Sequence, residues 1–457
     1  MPEKTYKKKH LTSFQLIILG FAGVIFLGTV LLMLPFSTLD KVSTPFHEAL
    51  FTATSAVCVT GLVVKDTGSY WSMAGQTIIL VLIQIGGLGV VTVAASVSIL
   101  SGKKISLMQR STMQDAISAP KVGGIVRLTR FILKGTFLLE AAGALLLLPA
   151  FLPDYGGKGI WMSVFHSVSA FCNAGIDLLG ANSLEPYISN PWINFVTMFL
   201  IISGGIGFIV WMDLKATVKN YFQNKISVKK SLQKLRLHTK ITLITTAILI
   251  LGGALLIFVL EYTNTDTIGK LSFFDKIVAS LFQSVTLRTA GFATFSQSGL
   301  RHGTVLLCYF LMFIGGSSIG TAGGIKTTTV ATLFLSTRAI VKGKTHLVVF
   351  RKNIPHQTVT KALAVTMVSI SFLLLASVGL YQAEGGSMVD VVYETTSAIA
   401  TVGLTRDYTS KLHLLGKLII IICMYLGRIG PISMVIFFNK ERKNDFVSFP
   451  HEDINVG

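Results

Sequence analysis

The residues with chemistry to offer form a recurring turn. Thr286-Leu287-Arg288-Thr289-Ala290-Gly291-Phe292 has three weaker echoes: Ala56-Val57-Cys58-Val59-Thr60-Gly61-Leu62, Ala170-Phe171-Cys172-Asn173-Ala174-Gly175-Ile176 and Ala398-Ile399-Ala400-Thr401-Val402-Gly403-Leu404. The glycines stand at 61, 175, 291 and 403, so the steps are 114, 116 and 112 residues in a chain of 457. A self-similarity of this period marks a repeat architecture. One such turn would be an ordinary helix-ending loop; four at equal spacing can surround one axis. Glycine leaves φ free, so a carbonyl can be turned inward. Inward carbonyls can replace the hydration shell of a cation. The helix before each turn aims a partially negative C-terminal end at the same point. Ser55, Ser169, Thr286 and Ser397 precede the turns and are secondary candidates, for holding neighbouring backbone groups. The glycine follows Phe51, Phe165 and Tyr393 by 10 residues but Phe282 by 9, so the third turn is expected to be built differently.

The positioning elements must be membrane helices. The chain is 51% hydrophobic and 13% charged, with mean hydropathy +0.66, whereas a soluble chain carries about 25% charge. This predicts an all-α integral membrane protein. The net charge of +19 reads as membrane topology, because the lysines sit at the ends of apolar runs. They do not form one block interleaved with aromatics, which argues against nucleic acid as a partner. Cys58, Cys172, Cys308 and Cys423 lie in apolar segments without metal-ligand spacing, and the nine histidines are scattered. Lys7-Lys8-Lys9 precedes an apolar run from Leu11 to Leu34, which is long enough to span rather than be cleaved as a signal.

Each unit is expected to hold a spanning helix, a short re-entrant helix, the glycine turn and a second spanning helix. The units are 11–102, 103–214, 215–340 and 341–457. The expected spans are Leu11 to Leu34 and Gly75 to Leu100; Phe131 to Leu152 and Trp192 to Met212; Ile241 to Leu260 and Gly303 to Thr337; Ala362 to Tyr381 and Leu412 to Phe438. The short helices are Phe46 to Phe51, Trp161 to Phe171, Phe273 to Val285 and Asp390 to Ile399. Basic residues gather at the amino terminus, in the three inter-unit loops and in the tail (Lys440, Arg442, Lys443). That side is cytoplasmic. Eight spans then put both termini there, and the four turns face the opposite entrance.

The stretch from Gly303 to Thr337 is too long for one span, at about 52 Å as a continuous helix. Its surplus coincides with Gly315, Gly316, Gly320, Gly323 and Gly324, just before Lys326. So many glycines should break the helix and leave a polar loop beneath the turns; a glycine-rich packing surface is the plainer reading. Gly316-Ser317-Ser318-Ile319-Gly320 fits a hydrolase elbow, but no strand precedes it. Gly320 to Thr327 fails as a phosphate loop, because Ile325 separates Gly324 from Lys326. Arg428 lies within the last apolar run, so it is expected to face the bundle interior or to snorkel. Lys134 and Glu140, six apart, do not share a helix face well, and Glu140 reads as structural. Arg288 is expected to brace the third turn by hydrogen bonds.

On these residues the chain resembles the Trk, Ktr and plant HKT superfamily of potassium transporters, over essentially its whole length. Lacking an extra helix pair ahead of the first unit, it is similar to Ktr-type membrane subunits. The resemblance implies a potassium filter of Val59-Thr60-Gly61, Asn173-Ala174-Gly175, Thr289-Ala290-Gly291 and Thr401-Val402-Gly403, in which Asn173 departs in polarity. It implies an intramembrane gating loop at 315–327, with Arg428 near it. It also implies a bacterial cell-membrane location, a homodimer, a cytoplasmic nucleotide-binding ring as regulator and sodium stimulation. No cofactor is expected in this chain, only potassium as cargo. The basic loops would dock the ring or lie solvated against lipid. A sodium-coupled symporter of the same fold remains open, and an intramembrane hydrolase using Ser318 is the remote alternative.

Overall fold

The computed structural model describes residues 12–100, 110–114, 124–180, 182–224, 228–344 and 346–430. Lys7, Lys8 and Lys9, the loop lysines Lys103, Lys104 and Lys121, the 102/103 unit boundary, and the tail beyond residue 430 lie outside the described residues.

The same order of elements recurs four times. The first set is α1 (Ser13–Met33), the short α2 (Phe46–Cys58), then α3 (Met73–Leu88) and α4 (Val90–Leu100). The second is α5 (Ile125–Tyr155), the short α6 (Lys158–Cys172), then α7 (Pro191–Gly205) and α8 (Phe208–Asn224). The third is α9 (Leu237–Glu261), the short α10 (Phe273–Thr286), then α11 (His302–Phe313) and α12 (Thr327–Val341). The fourth is α13 (His356–Glu384), the short α14 (Met388–Ala400) and α15 (Leu414–Ile429). Among the described residues four helices (α1, α5, α9 and α13) are long and apolar enough to cross a membrane.

Polarity is arranged for lipid outside and polar groups inside. On α9, Ile244, Ile248, Leu251, Leu255 and Val259 are exposed along one face, at the three- and four-residue steps of a helical stripe. In water this stripe would turn to the core; here it faces outward, as hydrocarbon permits. The C-terminal halves of the short helices are buried instead, and Thr52, Thr54, Ser55 of α2 and Thr395, Thr396, Ser397 of α14 lie inside with them. The four cysteines are free and buried, as their apolar settings predict.

The second helices depart from expectation. Gly75 to Leu100 is not one continuous helix: α3 and the following helix meet at a bend of 97°. Trp192 to Met212 is likewise broken, with α7 and α8 at 99°. The breaks fall at Gly86-Gly87-Leu88-Gly89 and Gly204-Gly205-Ile206-Gly207. Gly89 and Gly207 have φ of 84° and 96°, a left-handed backbone that glycine alone adopts without strain. The expected break in the third unit is present, since α11 ends at Phe313 and α12 starts at Thr327. Helix α8 runs across the expected boundary at 214/215. The described part of the last span ends at Ile429. The fold is not purely helical either: Leu347–Val349 and Lys352–Ile354 pair as an antiparallel hairpin.

Candidate functional site

The short helices α2, α6 and α14 end alike. Each is capped by a residue in the left-handed region: Val59 (φ 55°), Asn173 (φ 61°) and Thr401 (φ 52°). The next N–H closes the cap on a carbonyl five residues back: Thr60 on Ser55 at 2.9 Å, Ala174 on Ser169 at 2.8 Å, Val402 on Ser397 at 2.8 Å. This is the helix-ending motif that a left-handed residue makes possible. The third turn differs by one residue, as its shorter spacing predicts. There α10 stops at Thr286, Ala290 donates four residues back to Thr286 at 2.9 Å, and the left-handed residue is Thr289 at φ 70°.

Three of the four hydroxyls hold backbone groups of the turns. Ser55 and Ser397 Oγ accept from the N–H of Gly61 (3.1 Å) and Gly403 (3.0 Å). Thr286 Oγ1 donates to the Phe292 carbonyl at 2.7 Å. Ser169 Oγ is buried without a hydrogen-bond partner among the described residues.

The four glycines close on one another as a ring. A Cβ placed on Gly61 would lie 2.5 Å from the carbonyl oxygen of Ala174, and one on Gly175 would lie 2.5 Å from that of Ala290. On Gly291 it would lie 2.6 Å from the Val402 oxygen, and on Gly403 it would strike the Thr60 oxygen. Each of those carbonyls belongs to the residue just before the next glycine, so the relay runs from the first unit to the fourth and back to the first. Backbone therefore approaches backbone with no space for a side chain. All four glycines also have positive φ, from 65° to 98°.

One side of the ring opens into a cavity of about 370 Å³ lined by all four glycines. Asp66, Asp177, Glu185 and Asp407 stand on its walls, against one cation, Lys65. Burial pushes the Asp177 carboxyl up to about 6, opposed by hydrogen bonds from Ser183 and Leu179 and reinforced by the nearby Asp66 charge. Burial, with the charge of Asp407, also raises Glu185.

Residues 314–326 abut the turns. Gly323 faces the Thr401 hydroxyl, and the Gly324 backbone is left-handed at φ 63°. Gly315 backs onto the Gly323 carbonyl, Gly316 onto the Ala322 methyl and Gly320 onto the Gly204 and Gly205 carbonyls. Ser317 N–H donates to Gly205 at 2.9 Å and Thr321 N–H to Gly204 at 3.2 Å. The Lys326 ammonium turns back on the loop, onto the carbonyl of Ala322 at 2.8 Å. Arg428 does not snorkel: its guanidinium donates to the carbonyls of Thr321, Gly86 and Gly87. Arg288 braces the loop rather than its own turn, donating to Gly315 O at 3.3 Å. Glu140 is buried while Lys134 is exposed, and the Ser167 hydroxyl donates to the Glu140 carbonyl at 2.6 Å. The Ser318 hydroxyl lies 3.3 Å from that of Thr328, in a loop that follows a helix.

Sequence reasoning missed Thr321 and the pair Gly86-Gly87. Thr321 is the point where three units meet. Its hydroxyl lies 3.1 Å from the Asn173 amide and donates to the Phe171 carbonyl at 3.1 Å. The polar departure at Asn173 is thus a side chain turned onto the loop, where its amide also has the Ile201 carbonyl within reach. The available signal was the recurrence of Gly86-Gly87-Leu88-Gly89 as Gly204-Gly205-Ile206-Gly207 and Gly427-Arg428-Ile429-Gly430.

Comparison with known proteins gives a concordant picture. The family model described as "TrkH: Cation transport protein" matches residues 2–448. The chain is 40% identical over 456 residues to the Ktr system potassium uptake protein B of Bacillus subtilis, covering 100% of this chain and 99% of that protein. It is 39% identical to the potassium/sodium uptake protein NtpJ of Enterococcus hirae, with 98% of each covered. The crystal structure of the potassium transporter TrkH from Vibrio parahaemolyticus is similar in fold: TM-score 0.73 and 18% identity, over 96% of this chain and 87% of that one.

Proposed function

Because the chain belongs to the TrkH family of cation transport proteins, we propose that it is the potassium-translocating membrane subunit of a Ktr-like uptake system. The observation that carries this reading is the closed relay of glycines and carbonyls at Gly61, Gly175, Gly291 and Gly403. Four turns brought to one point offer carbonyl oxygens in place of a hydration shell. Non-helical backbone at membrane depth is tolerated where protein or a water path surrounds it. The acidic cavity is then the outer mouth, where negative walls concentrate cations. The loop at 314–326 is the gate on the other side.

In this reading the four units, divided near 102, 214 and 340, supply eight spans, counting each broken second helix with its unit. Both termini are cytoplasmic. The filter residues are Val59, Thr60, Gly61, Asn173, Ala174, Gly175, Thr289, Ala290, Gly291, Thr401, Val402 and Gly403. The gate comprises Gly315, Gly316, Gly320, Gly323, Gly324 and Lys326, held by Arg428. Two copies of the chain assemble, and a cytoplasmic nucleotide-binding ring biases the gate. The test is potassium flux into proteoliposomes holding the purified chain, with sodium as competitor. A folded protein with no potassium flux, or one that passes sodium equally well, overturns the reading.

A second reading, sodium-coupled uptake, draws on the relative named for both potassium and sodium. Reversal potentials that move with sodium at fixed potassium would favour it over an uncoupled path.

A further inference from the structure

The hairpin at 347–354 has a tip that its sequence does not favour. A two-residue turn joins Val349 to Lys352, and its residues Phe350 and Arg351 have φ of 49° and 60°. Such turns ordinarily carry Asn-Gly or Asp-Gly, and a bulky residue in the left-handed region is an outlier that its surroundings must hold in place. The tip is not buried to compensate: Phe350 is 52% exposed and Val348 60%. The other face is fixed, since Leu347, Val349 and Ile354 pack on Leu237 and Ile241 of α9 and on Ala331 of α12.

Position and charge identify what covers the tip. The hairpin is followed at once by α13, and it packs on the first turns of α9. Both helices are long and apolar enough to span, so the tip lies at the membrane boundary on their N-terminal side. Lys342, Lys344, Arg351 and Lys352 are exposed and flank the exposed apolar residues in sequence, and the Lys240 ammonium sits 5.6 Å from the Phe350 ring centre. Between Asp275 and Glu384 the sequence holds no carboxylate. Among the described residues none of these four cations is in an ion pair, although Asp213 meets Arg236 at the start of α9. Exposed aromatic and aliphatic residues beside such cations match an anionic lipid surface.

The same hairpin is one helical turn from the loop. Ala331 is four residues past Thr327, whose N–H donates to the Gly316 carbonyl at 3.0 Å. The Thr327 hydroxyl is 3.0 Å from that of Ser317.

We propose that the hairpin is a docking site for anionic lipid. Val348 and Phe350 seat among acyl chains, Lys342, Lys344, Arg351 and Lys352 meet lipid phosphates, and the seated hairpin draws the start of α12 outward. Because α9 presents the lipid-facing stripe, the pull is away from Thr401 and opens the loop. The regulatory half of this proposal rests on the transport reading above; the docking half does not.

The test uses the purified full chain carrying Phe350→Trp, in vesicles of phosphatidylcholine alone or mixed with phosphatidylglycerol, with bromine-labelled acyl chains as quencher. The parent's emission from its 4 native tryptophans is subtracted. The expected result is added emission that is quenched in anionic vesicles. The quenching should weaken at high salt and fall away when the four cations are changed to glutamine. Potassium flux of the parent should be several-fold higher in anionic vesicles, with the difference shrinking in the glutamine variant. Added emission that stays unquenched in anionic vesicles overturns lipid docking; a shift seen only with an acidic cytoplasmic protein present would reassign the tip to that protein. Quenching with no lipid dependence of flux overturns the coupling to the loop. Absence of flux from the parent in every vesicle counts against the transport reading, and quenching still decides the docking.

Discussion

Arg428, from the fourth unit, donates to the backbone carbonyl of Thr321, from the loop of the third. The same guanidinium reaches the Gly86 and Gly87 carbonyls where α3 ends. One cation thereby ties the loop to a broken helix on another unit, and no acid pairs with it among the described residues. Among the described residues its acceptors are carbonyl oxygens, so the tie is a set of charge-assisted hydrogen bonds.

Arg428→Ala is therefore expected to free the loop. Each lost bond from a charged donor is worth about 1.5–3 kcal/mol, which is enough to shift a two-state loop markedly. Flux in proteoliposomes should rise and depend less on a cytoplasmic partner. Deleting Gly316 to Gly323 should act in the same direction, and the double variant should add nothing. A folded deletion variant without flux would place the loop in the conduction path instead.

The glycine ring gives a sharper expectation. Alanine at Gly61, Gly175, Gly291 or Gly403 must displace a neighbouring unit's carbonyl and also adopt a positive φ that costs about 1–2 kcal/mol. Each single substitution should lower potassium-over-sodium selectivity more than it lowers thermal stability. Gly291→Ser should do the same. Full selectivity in a folded variant would remove that unit from the filter.

The serines divide by their partners. Ser55→Ala and Ser397→Ala leave the buried N–H of Gly61 and Gly403 without an acceptor, a loss of about 1–3 kcal/mol. Ser169 Oγ has no hydrogen-bond partner to lose among the described residues. Thermal unfolding in detergent should rank Ser169→Ala with the parent and the other two below it. Equal destabilisation by all three would contradict the assignment.

The turns were legible in the sequence because their backbone admits few residue types: the glycine recurs, and so does the hydroxyl six residues before it in the first, second and fourth units. Even the odd third turn showed, as a missing residue after Phe282. The broken helices at Gly89 and Gly207 left only an ambiguous mark, the recurring glycine pattern. In an apolar run, paired glycines read equally well as a packing surface, and only the bend distinguishes the two. Thr321 carries no periodicity, since its role comes from contacts with residues 107 and 150 positions away. The hairpin escaped because Phe350-Arg351 is a turn without the residues that announce one.

The last expectation concerns the acidic cavity beside the glycine ring and its response to pH. Asp177 lies in the segment after the second turn, outside the helices, and its carboxyl is raised to about 6 chiefly by burial. A raised carboxyl binds its proton more tightly in the folded chain than in the unfolded one. Its contribution to stability is therefore present at low pH and lost as pH rises through about 6. Its effect on cation entry has the opposite sign. Above that pH the carboxylate joins Asp66, Glu185 and Asp407 on the walls, with Lys65 as the opposing charge, and draws cations to the ring. Below it one negative charge is gone. The apparent affinity for potassium should then fall as the pH on the cavity's side drops from 7 to 5, most clearly at low ionic strength, because salt screens the field. Asp177→Asn should show the low-pH affinity at every pH and lose that part of the pH dependence. Flux measured against potassium concentration at each pH tests this. An Asp177→Asn variant that keeps the parent's full pH response would assign the titration to another group in the cavity.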